Sequence, residues 1–294
     1  MIRLQDIQLR DPFVLSHEGV YYLFGSTDPG VANGPGFDVY RGVGLGELTT
    51  FTGPYPAFRP LADFWSLSDF WAPEVYPWGG GFAMFATFLP TDGHRGTAVL
   101  RAETPLGPFF PWSDGPVTPR DWDCRDGTLF VDEDRTCWMV FCHEWSQVGV
   151  GRVCAVRLSG DLRTSVGEPE LLFTASEAPW AEPLPDHPGS YLAASPFPYR
   201  DTSGRLHLLW TSSGPYDLCR VGVATSLDGL AGPWLQSSAP LLDDNAGHGM
   251  VFAAPRGRRF LAVHSPNLRR RERPVFVELA ETPDGLATTG EVVK

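Results

Sequence analysis

Apolar residues along this chain come in short runs separated by turn formers, and no stretch sustains a 3.6-residue apolar period. Five opening segments share one pattern: Asp11-Pro12-Phe13-Val14-Leu15, Ala72-Pro73-Glu74-Val75-Tyr76, Asp126-Gly127-Thr128-Leu129-Phe130, Ser195-Pro196-Phe197-Pro198-Tyr199 and His248-Gly249-Met250-Val251-Phe252. Each leads into a second apolar run: 20–24, 82–86, 137–141, 206–210 and 260–264. Between them lie Glu18-Gly19, Gly79-Gly80-Gly81, Asp132-Glu133-Asp134, the stretch Asp201 to Gly204, and Arg256-Gly257. Glycine supplies positive φ and Asp supports turns through local hydrogen bonds, so each pair predicts a β-hairpin. Third strands are expected over 38–41, 97–102, 152–157, 220–225 and 274–280, three of them leading to Gly-Pro-aromatic turns at 53, 107 and 232. The pattern predicts an all-β chain.

The Pro or Gly of each opening stands at 12, 73, 127, 196 and 249, giving spacings of 61, 54, 69 and 53 residues. A self-similarity of this length marks a repeat architecture. Five units of three or four antiparallel strands fit a five-bladed β-propeller, with blades arranged around a central axis. A large β-sandwich would also supply many short strands, but it needs no blade-length period. At 294 residues, with 43% hydrophobic and 13% aromatic, the chain can bury one large core. Its Gly 32 and Pro 28 are spread as numerous turns require rather than gathered into a linker, so residues 1–294 are expected to form a single domain.

A formal net charge of −12 argues against a nucleic-acid partner, whose affinity rests largely on Lys and Arg at phosphates. The dense basic run from Arg269 to Arg273 is most simply a solvated loop. No apolar run approaches the length of a bilayer span, and the N-terminus lacks a secretory pattern, so no membrane partner is expected. The five cysteines (124, 137, 142, 154 and 219) are odd in number and fall mostly in predicted strands. They read as buried thiols in a reducing compartment, and the expected location is cytoplasmic.

The first strand of each propeller blade lines the axis, so the five openings converge on one mouth. They carry Asp11, Glu74, Asp126, Ser195 with its neighbour Ala194, and His248 there. Glycoside hydrolysis asks for such carboxylates: one acts as base on a water, while a protonated acid gives its proton to the leaving oxygen. A further carboxylate nearby keeps that acid protonated.

The chain resembles glycoside hydrolase family 43, the five-bladed inverting arabinofuranosidases, xylosidases and arabinanases, over essentially its whole length. The resemblance rests on Arg10-Asp11-Pro12 with Tyr21-Tyr22-Leu23-Phe24, and on Trp71-Ala72-Pro73-Glu74-Val75. It continues through Asp126-Gly127-Thr128 with Met139-Val140-Phe141, then Ser195-Pro196-Phe197-Pro198-Tyr199-Arg200, and Gly247-His248-Gly249-Met250. It implies that Asp11 is the general base and that Asp126 raises the pKa of the acid and orients it. Trp71 and Glu74 then line the sugar pocket, and His248 is the axial histidine near a central metal, commonly calcium. No cofactor is required by this reading beyond that structural calcium, held by His248 directly or through water.

One position departs from the pattern. The family's general acid is a Glu in a segment like Glu-Gly-Pro-Phe, and the matching stretch here is Ala194-Ser195-Pro196-Phe197. Alanine donates no proton. Three explanations compete: a Glu replaced by design, a natural member that recruits another acid (Glu144, Glu74 or Glu182), or a sugar binder without turnover. Trp71 and Trp145, the latter beside Glu144, are the expected stacking aromatics. Asp132 and Asp134 are read as turn residues. No zinc site is expected, since no His-Glu-x-x-His or Cys-x-x-Cys pattern occurs. The expected partner is an oligosaccharide containing arabinose or xylose, with a terminal α-L-arabinofuranosyl or β-D-xylosyl residue removed by inversion. Sugar choice is left to loops such as 30–35, 90–95 and 179–190. A non-catalytic carbohydrate-binding propeller is the alternative.

Overall fold

A computed structural model describes residues 1–26, 36–44 and 46–294; the 30–35 loop lies outside the described residues. Five antiparallel sheets form a ring, one for each predicted repeat. The inner strands are Arg10–His17, Ser66–Trp78, Cys124–Val131, Ala194–Arg200 and Gly247–Ala253. Each packs against the inner strand or hairpin of the next blade, and the last packs against the first. The strand Ile2–Arg3 adds to the outer edge of blade 1 beside Thr50–Phe58, so blade 1 has five strands and the others four. Apolar layers fill the gaps between neighbouring blades, with Phe85 and Phe141 in one, Phe173 and Trp210 in another, and Leu209 and Leu261 in a third.

Every inner strand carries the same irregularity. Its register slips between Arg10 and Phe13, Trp71 and Glu74, Arg125 and Thr128, Ala194 and Phe197, and Gly247 and Met250. At each slip one residue takes a left-handed conformation: Asp11 (φ 50), Ala72 (48), Asp126 (55), Ser195 (54) and His248 (59). Non-glycine residues rarely adopt this geometry, and a bulge of this kind re-aims a side chain out of the pleat. The Pro or Gly that defined the sequence repeat is the residue directly after it.

The amide that each bulge frees from the strand ladder is capped from the preceding blade. Ala72 N donates to Ser26 Oγ at 2.8 Å, Asp126 N to Thr87 Oγ1 at 2.9 Å, His248 N to Thr211 Oγ1 at 3.0 Å and Asp11 N to His264 Nδ1 at 3.1 Å. These four acceptors occupy one register position on the second strands, opposite Arg10, Trp71, Ala194 and Gly247. The fifth such position is Cys142, opposite Arg125. A thiol is a weak acceptor, and Ser195 N instead donates to Asp126 Oδ2 at 2.9 Å.

Among the described residues no strand is shared between blades 5 and 1, and individual side-chain and backbone bonds close the ring. Arg10 donates to the buried Glu272 at 2.7 Å, Leu9 N to Glu272 O at 3.3 Å and Tyr21 Oη to Ala253 O at 3.3 Å. The basic run is therefore more than a solvated loop: Glu272 within it is fully buried, and Arg269 lines the central cavity. All five cysteines are buried and free. Asp132 serves its turn, accepting from Thr136 N and Trp138 Nε1. Among the described residues no helix is long and apolar enough to cross a membrane.

Candidate active site

The five bulges surround one cavity of about 850 Å³ on the axis, within the range of roughly 300–1,000 Å³ typical of small-molecule sites. Asp11, Trp71, Asp126, Trp145, Ala194 and His248 all line it, as the sequence led one to expect. Glu74, Glu144 and Glu182 are not among the lining residues. Glu74 is buried, hydrogen-bonded by Tyr76 Oη, which also lies 2.8 Å from Thr128 Oγ1. Burial pushes its carboxyl up to about 7 against the pull of Thr128 and Tyr76. Glu144 is buried in ion-pair contact with Arg125; burial raises its pKa, and the guanidinium partly offsets that. Glu182 sits 3.8 Å from Arg220. None of the three lines the cavity, so the expectation that one of them serves as the acid in place of residue 194 meets a geometric obstacle.

Asp11 is the most elaborately held group. Its Oδ2 accepts from Ser26 Oγ, and its Oδ1 lies 3.3 Å from His248 Nδ1 and 3.5 Å from His264 Nδ1. The two histidines play different parts. His264 Nδ1 accepts the Asp11 amide, leaving Nε2–H to donate to Asn267 Oδ1 at 3.1 Å. That tautomer is neutral, and burial lowers its pKa to about 4. His264 therefore forms no ion pair with Asp11. Burial also opposes the charge of His248, but Asp11 outweighs it and raises the imidazolium above its usual range. For Asp11 itself, burial favours the neutral acid, yet His248 and then Arg10 hold the carboxyl well below ordinary carboxylates. The result is an anion fixed at the cavity wall.

Asp126 faces the same cavity, with Oδ2 capping Ser195 N and 3.7 Å from Arg125 Nε. Ala194 lines the cavity as a methyl group beside it. Trp71 carries Arg95 over its ring at 5.3 Å, while Arg95 is anchored by Asp123 at 3.0 and 3.1 Å. Trp145 packs against His187 with ring centroids 4.8 Å apart, which brings the 179–190 loop to the mouth. Among the described residues no three His, Cys, Asp or Glu side chains gather into a metal-binding group. The Nδ1 of His248 faces Asp11 instead. A hard cation wants six to eight oxygens, so calcium beside His248 would draw its shell from water.

Several lining residues escaped the sequence reading: Ser26, Asp69, Arg125, Thr211, Asp217, His264 and Asn267. Ser26, Thr211 and His264 fall at one register position of the second strands, but they share no residue type that would mark them in the sequence. Asp69, on an irregular part of the blade 2 inner strand, had no mark either.

The model for glycosyl hydrolases family 43 matches residues 5–286. Among solved structures, an endo-arabinase from Bacteroides thetaiotaomicron VPI-5482 is 35% identical, with 96% of this chain and 98% of that one covered and a TM-score of 0.87. A thermostable family-43 glycoside hydrolase is 25% identical over 98% of this chain and 94% of that one, at a TM-score of 0.82. An endo-1,4-beta-xylanase from B. thetaiotaomicron shares the fold at 23% identity and a TM-score of 0.78, with 98% and 96% covered. No curated protein sequence matches. A five-bladed ring, a cavity walled by its bulged inner strands and a family match over nearly the whole length agree: this chain belongs to family 43 of the glycosyl hydrolases and is a glycosidase.

Proposed function

We propose that this glycosidase hydrolyses an α-L-arabinofuranosyl linkage of a plant-derived oligosaccharide, or a β-D-xylosyl linkage in second place, with inversion at the anomeric carbon. The observation that carries the reading is the Asp11 carboxylate: charged, clamped by Ser26 and His248, and facing the cavity. Asp11 takes a proton from a water, whose oxygen attacks the anomeric carbon as the bond to the leaving oxygen breaks. Trp71 and Trp145 provide ring faces for the sugar, and Asp126 holds the backbone at Ser195 in place. With alanine at 194, the leaving oxygen departs without a proton from that position, so turnover falls on substrates whose leaving group is already acidic.

Release of a terminal sugar is the first form of this reading. Internal cleavage of arabinan is the second, favoured by the 35% identity to an endo-arabinase. A carbohydrate-binding propeller without turnover is the rival of another class, favoured by the methyl group at 194. One experiment separates them. Aryl arabinofuranosides, xylosides and galactosides are assayed with the unaltered chain and with Ala194→Glu, and the product anomer is followed by NMR. A gain of roughly 10²-fold or more in Ala194→Glu, the scale of general acid catalysis, with inverted product, supports the hydrolase. Sugar binding without turnover in both forms supports the binder.

A further inference from the structure

The space over Ala194 has an unusual neighbour. Arg125 stands in blade 3 at the place that Ala194 holds in blade 4, the residue directly before the left-handed bulge. Both line the cavity. They share an anchor as well: Asp126 Oδ2 accepts the Ser195 amide at 2.9 Å and lies 3.7 Å from Arg125 Nε. A guanidinium therefore borders the space left by the alanine side chain.

That guanidinium is held but not used up. Glu144, buried behind it, keeps it in place by ion-pair contact from the side away from the cavity. Its Nε is the atom in contact with Glu144 Oε1 and lies 3.7 Å from Asp126 Oδ2, and among the described residues no hydrogen bond is formed by the terminal nitrogens of Arg125. Its side chain is 19% exposed. Arg presents five donors in a rigid fork that suits a carboxylate bidentately. Here Arg125 lines a cavity shared with Asp11 and Asp126, in which no protein carboxylate stands at 194 to receive it. In a chain of net charge −12, such a cation in the substrate cavity is a recognition element for an anion.

We infer that the space over Ala194 is a carboxylate subsite with Arg125 as its cation, and that the saccharide bound by this chain carries a uronic acid there. The inference rests on the reading of the cavity as a glycoside site, because it places the acidic sugar around the bond that Asp11 addresses. Alanine at 194 is then the feature that admits the carboxylate. A glutamate at that position would occupy the space and pair with Arg125 itself.

Binding of D-glucuronic and D-galacturonic acid, of D-glucose and D-galactose, and of formate is measured by calorimetry on three chains: unaltered, Arg125→Gln and Ala194→Glu. The expected result is uronate affinity at least about tenfold above that of the matching neutral sugar, lost in both variants and weakened by salt. Arg125→Gln removes the partner of a buried glutamate and can fail to fold. Ala194→Glu leaves Arg125 and Glu144 intact and decides the matter in that case. Equal binding of uronates and neutral sugars overturns the inference, as does formate binding as tightly as the uronates, or uronate binding unchanged by Ala194→Glu. Failure of the hydrolase reading shows separately, as absent turnover of the neutral aryl panel.

Discussion

At the scale of single residues the cavity turns on how two histidines divide between two protonation states around Asp11. His264 accepts the Asp11 amide through Nδ1 and must break that bond to take a proton, so its ring stays neutral down to about 4. Between that value and the unfolded value of about 6.5 the unfolded chain binds a proton that the folded chain does not, so this group makes stability rise with pH across the window. His248 works in the opposite sense. Its raised pKa contributes stability that is complete below about 6.5 and is lost as pH rises through the folded value. Asp11, held low, contributes above about 3.9, and its share is lost as pH falls toward its folded value. An NMR titration of the imidazole rings is expected to show one midpoint near 4 and another above the usual range. In Asp11→Asn the His248 midpoint falls, because burial remains while the largest opposing charge is gone; an unmoved midpoint would break the pairing.

At the scale of elements the recurring unit is a bulged inner strand whose amide is capped from the blade before. The sequence carried half of this device. Pro or Gly after each bulge recurs at blade spacing, so the inner strands and the convergence of Asp11, Asp126 and His248 were legible. The caps were not, because Ser26, Thr87, Thr211 and His264 share a register position but no residue type, and what unites them is the ability to accept a hydrogen bond. Arg125 was hidden for a different reason: beside Asp126 it reads as an ordinary charged neighbour, and its meaning comes from the blade next to it. Glu74 and Glu144 looked available by position along the chain, yet Glu74 is buried on the inner strand Ser66–Trp78 and Glu144 is buried against Arg125 at the start of the helix Trp145–Val148, both off the cavity lining. If the caps matter, Thr87→Val and Thr211→Val each leave a buried N–H without an acceptor while conserving shape. Each is expected to cost about 1–3 kcal/mol, read as a lower urea midpoint at unchanged slope; a loss near zero would show that the bulges hold themselves.

At the scale of the whole molecule the ring has no shared strand at its seam among the described residues, and closure passes through a few groups that also border the site. Arg10 precedes Asp11 and is anchored by Glu272 at 2.7 Å; His264, one strand away, caps Asp11 itself. Closing the ring and placing the base are thus one act. Glu272→Ala is expected to cost about 1–3 kcal/mol by stranding Arg10 and to lower turnover along with the unfolding midpoint, whereas loss of stability with turnover intact would separate seam from site. The central claim is that Asp11 activates water in a cavity with alanine at 194. It is tested most directly by measuring hydrolysis of aryl arabinofuranosides of graded leaving-group acidity with the unaltered chain and with Asp11→Asn. The account predicts rates that climb steeply with leaving-group acidity and fall by about 10²-fold or more in Asp11→Asn. Rates indifferent to the leaving group, or undiminished without the Asp11 carboxylate, would contradict it.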